Sequence, residues 1–128
     1  MEKEGIVSVW AGVFESEDAL LEYAAEDYCD DEGNEIVSSS NRDFFDGEIW
    51  PFDPDFWERG LVEITADPKK LVYYFSEGLT IGEGLKKCFP EGLENAYNAV
   101  ILVYNYQYDG DDSNQGAPVK FLAAVPYE

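Results

Sequence analysis

The side chains able to do chemistry in this chain are plentiful and nearly all of one kind. There are 28 aspartates and glutamates against 8 lysines and arginines, and no histidine. Without histidine the chain lacks the commonest general base near neutral pH and the commonest transition-metal ligand. Cys29 stands among Glu26, Asp27, Asp30 and Asp31, whose field opposes thiolate formation. Cys88, in "KKCF", has lysines beside it, but a place on the inner stripe of an amphipathic helix, together with Phe89, explains it equally well. Two isolated cysteines in unlike contexts read as reduced thiols, with no bridge expected.

A carboxylate pair such as Asp53 and Glu58 meets the bare requirement of glycoside hydrolysis. With so many acids, however, some pair always falls at a suitable separation. "DGDDSN" (109–114) offers Asp109, Asp111 and Ser113 at the alternation of a calcium loop, then departs from it. The sixth position is Asn114 where glycine is needed, and the twelfth is Lys120 where a bidentate glutamate is needed. "GLTIGEGLKK" lacks the spacing of a phosphate loop. The expectation is no catalytic residue, no metal and no cofactor.

What chemistry leaves unexplained is "DGEIWPFDPDFWERG" (46–60), where Asp46, Glu48, Asp53, Asp55 and Glu58 alternate with tryptophan, phenylalanine and isoleucine. Rings leave water and carboxylates stay in it, so dense alternation presents acids beside large apolar side chains. Recognition uses both: aromatic anchors supply contact energy, and carboxylates around them select a basic partner. The candidate partner-binding residues are Tyr28, Asp30, Asp31, Trp50, Asp53, Asp55 and Glu58. Core filling is the competing account for Trp10, Phe44, Phe45, Ile49, Phe52, Phe56 and Trp57, and helix-turn capping is the competing account for Asp53 and Asp55.

Elements must hold these residues. "IVSVWAGVF" (6–14) reads as a strand, and Ser16 is placed to cap a helix in which Leu20, Leu21, Ala24, Ala25 and Tyr28 recur at helical spacing. "LVEITA" (61–66) is a second strand. Asp67 as cap and Pro68 at the first helical position open "PKKLVYYFSEG", with Gly78 as its stop, and "IGEGLKKCF" adds a short helix. "AVILVYNYQY" (99–108) and "PVKFLAAVPY" (118–127) flank "DGDDSNQGA" and read as two strands of a hairpin. The sum is one α+β domain over residues 1–128, with a sheet of about four strands, largely antiparallel, and helices packed on it.

A hydrophobic content of 45%, with 16% aromatic residues, is too apolar for a disordered acidic tail. The formal charge of -20 therefore sits on a folded chain, and unevenly. Residues 1–67 hold 20 acids against Lys3, Arg42 and Arg59, a net of -17, while residues 68–128 hold 8 acids against 5 lysines, a net of -3. Such a field repels nucleic acid and anionic membrane and attracts basic surfaces. Solubility or adaptation to salt would also account for the acids. No run approaches the roughly 18 apolar residues of a membrane span, and no basic leader opens the chain. The expected location is the cytosol.

Three pieces in order, "VSVWAGVFESEDALLEYAAEDY", "FDPDFWE" and "NAVILVYNYQY" before "FLAAVPY", resemble the immunity protein 22 family, small α+β proteins assigned to bacterial polymorphic toxin systems. The resemblance implies an antidote without catalysis that binds a cognate toxin. Charge adds a basic, nuclease-like toxin as the partner to expect. The alternative reading is an acidic DNA mimic or regulatory module that titrates nucleic-acid-binding proteins, and an enzyme using carboxylates is a third.

Overall fold

The computed structural model describes residues 2–23, 28–29, 32, 35–36, 57–73, 75, 77–108 and 119–127. Within them the chain runs β1 (Glu2–Gly12), α1 (Glu17–Tyr23), β2 (Tyr28–Cys29), β3 (Glu35–Ile36), β4 (Trp57–Thr65), α2 (Pro68–Val72), α3 (Gly78–Cys88), β5 (Tyr97–Tyr106) and β6 (Val119–Pro126). Four strands form an antiparallel sheet in the order β4-β5-β1-β6, and β2 pairs with β3 in a separate ribbon. The α+β expectation holds.

Both central strands are covered on both sides, which is why "VSVWA" and "AVILV" are apolar at nearly every position. Val7, Val9 and Ala11 of β1, with Val100 and Leu102 of β5, face Leu71, Val72, Ile81 and Leu85 of α2 and α3. The alternate residues, Trp10 of β1 with Ala99, Ile101 and Val103 of β5, face Leu20 and Tyr23 of α1.

The strands expected at 99–108 and 118–127 are present, but they are not a hairpin. β1 lies between them, pairing antiparallel with β5 from Val7↔Tyr104 to Gly12↔Ala99 and with β6 from Ile6↔Pro126 to Gly12↔Val119. β5 and β6 therefore run parallel with β1 between them, so the chain has to cross from one side of β1 to the other; residues 109–118 of that connection lie outside the described residues. Hairpin loops are most often two to five residues long, whereas a parallel crossover takes a dozen or more. The length of this connection permits the crossover, and burial of β1 on both faces requires an interior place for it.

Local sequence signals decide the helix starts. Ser16 Oγ accepts from Ala19 N at 3.2 Å. Asp67 Oδ1 accepts from Lys69 N at 2.9 Å, with Pro68 at the first helical position. The helix ends depart from expectation. Tyr28 belongs to β2, opposite Ile36, and not to a helix running on from α1. Gly78 opens α3 instead of stopping α2. A Cβ on Gly78 would lie 2.2 Å from the Val72 carbonyl oxygen and 2.8 Å from that of Tyr73, so glycine is there for close approach. Cys88 is exposed, and Phe89 packs against the core in its place. One of the two follows Leu85 on the inner stripe, and the larger apolar side chain takes it.

Candidate partner-docking surface

β4 carries the described end of the acidic and aromatic stretch. Trp57–Gly60 is strand, and it pairs in step with β5 from Trp57↔Val103 to Leu61↔Ala99. The register then slips: the next partner pair is Thr65↔Tyr97, so four steps of β4 meet two of β5. A bulge of this kind re-aims side chains. In a regular strand Val62 and Ile64 would share a face. Here Val62 packs against the core, whereas Ile64 is 58% exposed and Glu63 beside it is exposed.

The turn after β4 brings a second element to the same place. Asp67 N donates to Thr65 Oγ1 at 3.0 Å, and Leu93 N donates to the Ala66 carbonyl at 2.9 Å, which fixes the start of α2. Tyr73, at the end of α2, is 57% exposed. Val62, Glu63, Ile64, Thr65, Lys70 and Tyr73 together line an open cleft of about 400 Å³. Exposed isoleucine and tyrosine around a concave surface, beside a carboxylate and an ammonium, are suited to holding an apolar side chain of another protein.

Of the residues chosen from sequence, Glu58 is the one whose side chain is described. It is half-buried on β4, and its Oε1 accepts from the Tyr104 hydroxyl at 2.6 Å. Burial, then the hydrogen bond and charge of Glu58, hold the Tyr104 phenol well above the ordinary tyrosine range. The Tyr104 ring meets Tyr127 edge-on at 5.1 Å, and the Tyr127 hydroxyl donates to Asn105 Oδ1, which also accepts from Gly5 N at 3.0 Å. Asn105 and Gly5 both have positive φ, at 56° and 82°, where β1 and β5 lose register. Tyr28 is placed by its backbone on β2. Asp30, Asp31, Trp50, Asp53 and Asp55 lie outside the described residues, as do Asp109, Asp111 and Ser113.

Ile64, Lys70 and Tyr73 were not singled out from the sequence. "LVEIT" looks like ordinary strand alternation, and nothing local marks the bulge that turns Ile64 outward. Among the described residues no group of three acids or cysteines is arranged to hold a metal ion. No helix there is long and apolar enough to cross a membrane.

A family model described as Immunity protein 22 matches residues 7–128. The chain belongs to the immunity protein 22 family. Membership implies an inhibitor that neutralises a cognate toxin by binding it. Neither the curated proteins nor the solved structures gave a match. For this immunity protein the open cleft beside β4 and the acid-rich half of the chain are the features to be reconciled with binding a toxin.

Proposed function

We propose that this immunity protein acts in the cytosol, where it binds a toxin domain with a basic, nuclease-like surface and occludes it. The observation that carries the reading is the net charge of -17 over residues 1–67, in a chain matched to an immunity family over almost its whole length. A groove built to hold phosphates is lined with cations, and a folded polyanion is complementary to it. Asp30, Asp31, Asp53, Asp55 and Glu58 supply charge to this surface, and Tyr28 and Trp50 supply aromatic contact. Charges at the rim of such a complex act mainly on association rate.

The test is co-expression with the toxin domain encoded beside it, scored by growth and by co-purification. Rescue with a complex whose association slows steeply with added salt is the expected result. Failure to rescue or to co-purify overturns the reading. Capture of many unrelated basic proteins with similar affinity would favour the titrating module instead.

A further inference from the structure

Net charge brings a basic partner near but does not fix where its chain sits. β4 is at the edge of the sheet, with β5 on one side and no described strand on the other. Its bulge carries Glu63 and Ile64 outward, and the cleft between Ile64 and Tyr73 opens beside it. Against β4 from the opposite face packs α1, whose Glu17, Asp18 and Glu22 are exposed and which contains no base. The edge therefore offers a cleft with apolar walls at Val62, Ile64 and Tyr73, one carboxylate and one ammonium in its lining at Glu63 and Lys70, and the acids of α1 along its flank.

We propose that an extended segment of the toxin, bearing lysine or arginine around an apolar side chain, lies along Val62–Thr65 of β4 and places that side chain in the cleft. The proposal rests on the toxin-binding reading above and names the surface that does the binding. Charge selects this occupant over a second copy of the chain. Two copies joined at β4 would bring one half of net charge -17 against another, and like charges at an interface are costly. A basic segment instead meets Glu63 and the acids of α1 while its apolar side chain leaves water. Extended peptides laid on sheet edges with alternate side chains in pockets are a recurrent mode of recognition. A footprint of about 800 Å² on each partner spans from this cleft to Glu58 at the other end of β4.

The experiment measures binding of an inactivated form of the toxin domain encoded beside this protein, with melting temperatures taken in parallel. Ile64→Asp and Tyr73→Ala should each weaken the complex at least about tenfold, the effect of truncating an anchor. Both residues are exposed, so the melting temperatures should stay near wild type; Ile64→Ser serves if Ile64→Asp folds poorly. Val13→Asp, at an exposed apolar residue outside the cleft, should bind as wild type does. The paired change Glu17→Lys with Glu63→Lys should slow association most at low salt. Wild-type affinity in both cleft variants overturns this surface and leaves the immunity role standing. A dimer that Ile64→Asp converts to monomer, with toxin affinity unchanged, assigns the edge to self-association and overturns it as well. Failure of the wild-type protein to bind the toxin overturns the functional reading and this surface together.

Discussion

The two faces of the sheet are closed by different means. On one, α2 and α3 pack together and lay Leu71, Val72, Ile81 and Leu85 on the aliphatic residues of β1 and β5. On the other, the described cover is α1 alone, a helix of 7 residues. Such a helix is roughly 10 Å long, while strands sit about 4.8 Å apart, so it cannot roof four of them. Among the described residues aromatic rings extend the cover. Trp10 meets Tyr108 and Phe121, each at 5.2 Å between centroids, Tyr108 meets Phe121 at 4.8 Å, and Phe14 meets Tyr23 at 5.8 Å. The helical face draws most of its burial from aliphatic side chains, with Tyr97 and Tyr104 among them, whereas the other draws more of it from large rings around Trp10.

That contrast is broken most directly by Trp10→Ala. The ring is almost wholly buried, and its loss should cost about 4 kcal/mol in urea unfolding, against about 3 kcal/mol for Leu85→Ala on the aliphatic face. A larger loss for Leu85→Ala would show that the second face does not lean on its large rings as described.

Smaller effects follow from close approach on the helical side. A Cβ on Gly84 would lie 2.9 Å from the Val125 Cβ, and one on Gly78 would meet the Val72 and Tyr73 carbonyls. Each glycine-to-alanine change should cost about 1–3 kcal/mol by overpacking. In a double-mutant cycle Val125→Ala should recover part of the Gly84→Ala loss, because the obstacle is a side chain. It should recover none of the Gly78→Ala loss, where the obstacle is backbone.

On the aromatic side Ser8 is fully buried and serves two strands. Its hydroxyl donates to the Tyr106 carbonyl at 2.7 Å and accepts from Tyr108 N at 2.9 Å. Ser8→Ala removes both bonds and should cost about 1–2 kcal/mol. It should also weaken the near-ultraviolet circular dichroism of Trp10, whose neighbour Tyr108 is held by this bond. An unchanged aromatic signal would mean that the ring stack stands without it.

The smallest expected effect lies at the rim of the helical face. Tyr104→Phe removes the bond to Glu58 and should cost about 1 kcal/mol at neutral pH. The Tyr104 phenol titrates above its ordinary value of about 10 because of burial and Glu58. Such a group favours the fold below that value and loses the advantage as pH rises beyond it. The wild-type melting temperature should therefore fall faster than that of Tyr104→Phe above about pH 10. Parallel curves would show that the phenol does not couple to folding.

Much of this was legible locally. Asp67 and Pro68 announce the start of α2 because capping and a fixed φ act within one turn, and Ser16 does the same for α1. The ends were harder. Gly78 looks like a helix stop in sequence, and only the approach of the Val72 carbonyl shows it as the opening of α3. In the proposed docking surface the acids were visible as charge, whereas Ile64 was not, since its exposure follows from a slip in pairing with β5.

The sequence by itself determined the α+β class, the helix starts, the two strands apolar at nearly every position and the acidic half. Each follows from short-range propensity, from periodicity or from composition. Only the tertiary structure decided the order β4-β5-β1-β6 and the outward turn of Ile64. Strand partners are chosen between distant segments, and residues 107–118 can close a hairpin or carry a crossover. The choice goes to the arrangement that buries β1 on both faces, a preference that no window of neighbouring residues contains.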